Sequence, residues 1–268
     1  MTDAILPYIQ KLQKFSDLDK GPSGANLFCY PDSNATELSL LKSEYQLDRY
    51  AHGRNTLEKT LSLMDWVHHE LFTPGENVYP AGNNTRDIMK VRKTGALFCW
   101  FQAIVLVECL LSVGIKARVV TCIPESFDFD QHVAALVYDE TECRWFFVDP
   151  TFNTYFFSEN GTPLDVFAIR RQYAAGAIPQ FRPITIDKQW TLVLNGMVYD
   201  TYDEWYAIYM AKNSFRFMSP SQTFYDCLSS EDVHYIACNP IGFAKKNEYD
   251  EGKSITYIHN IGDYLPCA

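Results

Sequence analysis

The stretch at residues 95–118 reads GALFCWFQAIVLVECLLSVGIKAR, and it decides the fold. Its apolar run from Phe98 to Val113 is long enough for a helix, and Gly114 is a typical residue at which a helix ends. Cys99 then lies in the first turn of that helix, where unpaired backbone N–H groups and the helix dipole favour a negative charge. Because the thiolate is the reactive form of cysteine, this position predicts a nucleophile. The same N–H groups can stabilise an oxyanion.

Two predicted strands that follow this helix carry a histidine and an aspartate. Residues 132–138 (HVAALVY) and 144–149 (RWFFVD) have the composition of strands, as do residues 117–123. A hairpin with the four-residue loop 139–142 places His132 opposite Asp149. Directly opposed residues have Cβ atoms about 5 Å apart. This register therefore predicts a hydrogen bond between the imidazole and the carboxylate.

Taken together, Cys99, His132 and Asp149 have the order of a cysteine nucleophile, its general base and the carboxylate that orients the base. Each residue alone has a structural interpretation: a buried thiol, a solvated loop histidine and a turn-forming aspartate before proline. The combination favours a catalytic triad over three unrelated structural roles.

The same segments resemble the transglutaminase-like superfamily, a group with a papain-type core. The resemblance covers about residues 57–157 and rests on residues 95–99 (GALFC), 108–118 (ECLLSVGIKAR), 132–133 (HV) and 145–151 (WFFVDPT). It implies that Cys99 is the nucleophile, His132 the base and Asp149 the orienting residue. One position departs from the pattern, since many members have glycine two residues before the cysteine, where this chain has Leu97.

The organisation of the chain predicts one α+β domain over residues 1–268. Its transglutaminase-like, papain-like core spans about residues 55–160, with the nucleophile at a helix N-terminus packed on an antiparallel sheet. Residues 161–268 form an aromatic-rich C-terminal elaboration of the same domain. Apolar spacing predicts further helices at 55–72 and 203–212.

Composition narrows the classes of partner. The net charge of −10 argues against nucleic acid, whose phosphates require a basic face. The N-terminal residues lack the pattern of a signal peptide, and the longest apolar run contains Glu108, so we expect no membrane segment and a cytoplasmic location. The eight cysteines contain no Cys-x-x-Cys pair, and we predict neither a metal site nor a cofactor.

Several other residues admit two interpretations. Arg118 is expected to form an ion pair with Glu108 rather than to take part in catalysis. Trp66 is expected in the core, although related enzymes can use a side-chain oxyanion donor at a similar distance. His68 and His69 are expected on a helix surface rather than as metal ligands.

The acidic residues before His132 and the aromatic residues near the C-terminus also remain open. Asp128 and Asp130 are expected to be solvated loop residues, with gating of the site as the alternative. The aromatic residues at 203–209 are expected to be core, with a substrate groove as the alternative.

The sequence predicts a cysteine-dependent acyl-transfer enzyme that acts on amide bonds of a peptide or protein through an acyl-thioester. Hydrolysis is favoured over cross-linking because the sequence has no Asp-x-Asp-x-Asp-Gly calcium loop and no appended β-sandwich pattern. The alternatives are a calcium-independent protein transglutaminase, a non-catalytic peptide-binding module on the same fold, and an arylamine acetyltransferase-like enzyme. The oligomeric state is left open.

Overall fold

The computed structural model describes residues 3–18, 27–32, 35–126, 130–186, 192–222, 233–243 and 248–267. The helices in these ranges are α1 Leu6–Lys14, α2 Thr36–Glu44, α3 Thr56–Leu71, α4 Thr85–Lys90, α5 Cys99–Ser112, α6 Val166–Ala174, α7 Tyr202–Asn213 and α8 Ile261–Tyr264. Short 3-10 helices lie at Leu47–Arg49 and Glu248–Asp250. The strands are β1 Ala117–Ile123, β2 His132–Asp139, β3 Arg144–Asp149, β4 Thr154–Phe157, β5 Gln180–Pro183, β6 Val193–Leu194, β7 Met197–Val198, β8 Arg216–Pro220, β9 His234–Cys238 and β10 Ser254–Ile258.

The helices predicted from apolar spacing are present within one residue at each end. α3 begins after Asn55 because the Asn55 side-chain oxygen accepts the backbone N–H of Glu58. α7 begins after Thr201 for the same reason, since the Thr201 hydroxyl accepts the N–H of Glu204. α5 begins at Cys99, so Cys99 lies in the first turn as predicted.

Within the described residues, eight strands form one sheet in the order β10–β9–β8–β1–β2–β3–β4–β5. Neighbouring strands are antiparallel except β9 and β10, which are parallel. The predicted α+β class with a mainly antiparallel sheet is confirmed. The separate hairpin β6–β7 lies outside this sheet.

Helices cover both faces of the sheet because its central strands are apolar on both sides. On one face, Leu63 of α3 and Ile104 of α5 pack in the same cluster as Val119 of β1. On the other face, Ile208 of α7 packs in a cluster with Val120 of β1. α5 lies against β1 and β2, so the sheet positions the start of α5 near the beginning of β2.

The predicted register of the β2–β3 hairpin is wrong by two residues. Asp139 pairs with Arg144 and Ala135 pairs with Val148, so the four-residue loop is 140–143 rather than 139–142. Because side chains alternate with a period of two, a shift by two residues keeps His132 and Asp149 on one face of the sheet. The two residues are diagonal neighbours instead of direct partners.

Polar contacts in the turn account for this shift. The Asp139 carboxylate accepts the backbone N–H groups of Thr141 and Glu142, which fixes Asp139 at the start of the turn. At the other end, Cys143 has a left-handed backbone with φ of 50°. These contacts extend the strand pairing by one residue into the loop expected from the sequence.

The predicted ion pair between Arg118 and Glu108 is wrong because the two side chains lie on opposite faces of the sheet. The Arg118 guanidinium lies between aromatic rings, 3.8 Å from the centroid of Phe28 and 4.3 Å from that of Trp145. Glu108 instead accepts the backbone N–H of Thr85 at 2.8 Å.

The C-terminal strands β8, β9 and β10 extend the sheet from the free edge of β1. The division into a core at 55–160 and an elaboration at 161–268 of one domain stays a prediction. In the described ranges, no helix combines the length and apolar character that crossing a membrane requires.

Candidate active site

Cys99 lies at the N-terminus of α5 and is partly exposed to solvent. Phe98 precedes the helix, and its carbonyl accepts the N–H groups of Phe101 and Gln102. The Gln102 side chain also donates to the carbonyl of Leu97 at 2.9 Å, which holds the backbone that leads into the helix. Since the first backbone N–H groups of a helix lack intrahelical partners, the start of α5 can stabilise a negative charge beside the thiol.

The segment before Cys99 has Leu97 where many members of the superfamily have glycine. Its nearest glycine, Gly95, lies where two backbone segments approach closely. Ala96 donates its N–H to the carbonyl of Glu76 at 2.8 Å, and Val78 donates to the carbonyl of Ala96 at 2.9 Å. A Cβ on Gly95 would lie 2.5 Å from both the Glu76 oxygen and a Val78 methyl carbon. The close approach of the two backbones therefore requires glycine at 95, four residues before the nucleophile.

We expect Gly95→Ala to separate these two segments and to disturb the start of α5. The overlap with a backbone oxygen predicts a loss of about 1–3 kcal/mol in the free energy of unfolding. Urea denaturation measures this loss, and alkylation of Cys99 reports on the site. A variant with wild-type stability and reactivity would show that the close approach is not needed.

His132 and Asp149 are in direct contact. His132 Nε2 lies 2.7 Å from Asp149 Oδ2, and both side chains are buried. Asp149 Oδ1 accepts the backbone N–H groups of Thr151 (3.0 Å) and Phe152 (3.2 Å). These bonds fix the carboxylate, and the contact with Nε2 leaves Nδ1 as the ring nitrogen available to Cys99.

Cys99 lies close enough to His132 to affect the pKa of the imidazole, so the structure brings all three predicted residues together. Burial lowers the pKa of His132, but the Asp149 carboxylate and then Cys99 outweigh it and raise the pKa to about 10. His132 is therefore an imidazolium at neutral pH. A cation beside a thiol favours the thiolate.

Comparison with known families identifies a similarity for part of the chain. Residues 46–150 match the transglutaminase-like superfamily core. This match confirms the resemblance found in the sequence, and it supports a cysteine-type enzyme at the level of the superfamily. The matched core contains Cys99, His132 and Asp149.

Two further comparisons are less informative. A structure from Cytophaga hutchinsonii of a protein named "putative cysteine protease" is similar with a TM-score of 0.34 and 18% identity. The similarity covers 68% of this chain and 52% of that one, so the chain spans about half the length of that protein. The search of curated proteins gives no match.

Residues outside the matched range 46–150 contact His132 and Asp149. The ring of Tyr209 on α7 lies 5.3 Å from the His132 ring, and Phe152 lies at the same distance. The hydroxyl of Tyr206 donates to Asp149 Oδ2 at 2.8 Å. The only signal for these tyrosines in the sequence is the aromatic spacing at 203–209, which equally predicts a core helix.

Tyr209 and Tyr249 lie close enough to Cys99 for a thiolate charge to affect them. Burial raises the pKa of Tyr209 well above its usual value, and the charge on Cys99 raises it further. Burial also raises the pKa of Tyr249 to about 12, and the charge on Cys99 adds to this rise. Both phenols remain protonated near neutral pH and are potential hydrogen-bond donors.

Trp66 and the histidine pair have partners outside the candidate triad. Trp66 stacks on Tyr50 with ring centroids 4.8 Å apart, as expected for a packing residue. His69 is exposed, but the surface prediction is wrong for His68, which is buried with Nδ1 2.9 Å from the carbonyl of Pro150. His68 therefore ties α3 to the backbone beside Asp149.

The predicted loop acids have different outcomes. Asp130 forms an ion pair with Lys212 of α7 at 2.7 Å, so it is not simply solvated. Asp128 lies outside the described residues. Within the part of the chain that the structure describes, no group of three or more His, Cys, Asp or Glu residues could hold a metal ion.

Proposed function

We propose that the protein is a cysteine-dependent enzyme that cleaves amide bonds through an acyl-thioester, with hydrolysis as the main outcome. The observation that carries the proposal is the chain of contacts from buried Asp149 through His132 to partly exposed Cys99. In this proposal Cys99 is the nucleophile, His132 the general acid and base, and Asp149 the residue that orients His132.

In the first half of the reaction, the Cys99 thiolate attacks the amide carbonyl carbon and a C–S bond forms. The negative charge on the carbonyl oxygen is stabilised by the backbone N–H of Cys99 at the start of α5. When this intermediate collapses, the C–N bond breaks and the His132 imidazolium gives its proton to the departing amine. The product of this step is an acyl-thioester on Cys99.

In the second half, His132 is neutral and accepts a proton from water as the water attacks the thioester carbonyl. Collapse of this intermediate breaks the C–S bond, releases the carboxylic acid and restores the thiolate–imidazolium pair. An amine in place of water would give a new amide instead, which is the transglutaminase outcome.

Exposed aromatic rings beside Cys99 support an acyl group with an apolar side chain. Phe98 directly precedes the nucleophile and is partly exposed, and the highly exposed Tyr79 lies 5.6 Å from it between ring centroids. Binding of a substrate that covers apolar surface of this kind is favourable, because that surface is removed from water. We propose a peptide or protein amide as the substrate and, on the sequence grounds given above, a cytoplasmic location.

The proposal is tested by incubating the protein with a library of peptides and peptide amides in H₂¹⁸O, with and without methylamine. Hydrolysis predicts carboxylic acids that carry ¹⁸O, and these support the proposal. Methylamides as the dominant product would overturn hydrolysis in favour of acyl transfer.

Two other outcomes separate the remaining alternatives. Peptide binding with no product in either condition would indicate a non-catalytic binding module. Acetylation of Cys99 by acetyl-CoA, read by intact mass, would indicate an arylamine acetyltransferase-like enzyme. Either result overturns the proposed amide hydrolysis.

A further inference from the structure

The carboxylate of Asp149 has a second side-chain partner on the oxygen that contacts His132. Tyr206 donates its hydroxyl to Asp149 Oδ2 at 2.8 Å, and His132 Nε2 lies 2.7 Å from the same atom. Both Tyr206 and Asp149 are fully buried. The direction of the bond is fixed, because an ionised carboxylate can only accept.

Aromatic rings from α7 and β4 pack against the Tyr206 ring. The ring stacks between Tyr202 (centroids 5.2 Å apart, 15° between planes) and Phe156 (5.7 Å, 23°). Tyr202, one turn earlier on α7, is itself held by a hydrogen bond of 2.7 Å to the hydroxyl of Thr154. The phenol therefore reaches Asp149 from a rigid element.

We propose that Tyr206 is a positioning residue for the catalytic site and that it limits how strongly Asp149 attracts the His132 imidazolium. This inference rests on the proposed function, and it places part of the machinery outside the 46–150 match. By fixing Oδ2, the phenol keeps the His132 ring aligned so that Nδ1 faces Cys99. By donating to the same oxygen, it withdraws negative charge that would otherwise stabilise the imidazolium.

The sign of the effect follows from this competition. Without the phenol hydroxyl, the Asp149 carboxylate attracts the His132 imidazolium more strongly. The pKa of the imidazole therefore rises. Strengthening the donation lowers that pKa. Burial raises the pKa of Tyr206 itself well above its usual value, so the phenol stays a donor throughout the working pH range.

The test compares alkylation of Cys99 by iodoacetate from pH 5 to pH 11, read for the Cys99 peptide by mass spectrometry. An anionic reagent reacts fastest while His132 is an imidazolium, so the rate falls at alkaline pH as His132 loses its proton. We expect Tyr206→Phe to move this alkaline fall to higher pH by at least about 0.5 unit. We expect 3-fluorotyrosine at position 206, whose phenol is more acidic and keeps nearly the same volume, to move it to lower pH.

Tyr264→Phe is the matched control, because it removes a hydrogen bond of a fully buried phenol whose partner, at 2.7 Å, is the Ser219 hydroxyl rather than Asp149. Its alkaline fall should coincide with that of the wild type. Equal shifts in Tyr264→Phe and Tyr206→Phe, or superimposed profiles in all four proteins, would overturn the role of Tyr206. Failure of wild-type Cys99 to react at all would overturn the proposed function and this inference with it.

Discussion

The Cys99→Ala variant is expected to lose turnover by at least about 10³-fold and to lose alkylation by iodoacetamide at mildly acidic pH. The physical reason is that the proposed reaction passes through an acyl-thioester on Cys99, and that Cys99 is the thiol placed at a helix N-terminus beside the His132 imidazolium. Turnover of the best peptide substrate and labelling of each cysteine peptide at pH 5.5 measure the two effects. Labelling at an unchanged level would contradict the assignment of Cys99 as the nucleophile.

Cys143→Ala is the control for this experiment. Cys143 is an exposed thiol in the β2–β3 loop, and its Sγ contacts a backbone carbonyl rather than a histidine. We expect wild-type turnover and wild-type labelling of Cys99 at pH 5.5 in this variant. Cys29 and Cys267 are also exposed and serve as internal references in both proteins.

The largest expected effect on stability comes from Asp250, which forms a buried ion pair with Arg216. Arg216 of β8 and Asp250 are fully buried and joined by two bonds, of 2.9 and 3.1 Å. Tyr257 of β10 donates to the same carboxylate at 3.0 Å. Asp250→Ala leaves a buried guanidinium without its carboxylate, which predicts a loss of about 3–5 kcal/mol in the free energy of unfolding.

Urea denaturation measures this loss, with Asp48→Ala as the control. Asp48 forms an exposed ion pair with Lys42 at 3.0 Å, and exposed pairs contribute at most about 1 kcal/mol. Joint replacement of Arg216 by Met and Asp250 by Leu removes both charges and should recover most of the lost stability. A single variant as stable as wild type would mean that the buried pair is not what fixes β8 to the 248–250 segment.

The elements that carry the candidate triad could be predicted from the sequence, because their signals are local. Apolar runs and turn residues are local signals, and they located α5, β2 and β3 to within one residue at each end. The register is also local, but it depends on how Asp139 bonds to its own turn, which composition does not reveal. The error was an even number of residues, so the predicted contact with Asp149 survived it.

The contacts that could not be predicted are those between distant parts of the chain. Tyr206 and Tyr249 lie beside the site only because α7 covers one face of the sheet and the C-terminal strands join the edge of β1. Arg118 and Glu108 differ from expectation for a related reason, since a strand residue and a helix residue can face opposite sides of the sheet. The burial of His68 also depends on a distant contact, because its partner is the backbone carbonyl of Pro150.

The position of β8 beside β1 has a consequence for the order in which the protein is made. A ribosome releases Cys99, His132 and Asp149 before it has joined the amino acids of α7 and of strands β8–β10. Until those later segments emerge, β1 has a bare edge and Asp149 lacks its bond from Tyr206. A nascent chain thus carries the three residues of the candidate triad before the residues that bond to Asp149 and pair with β1 have been synthesised.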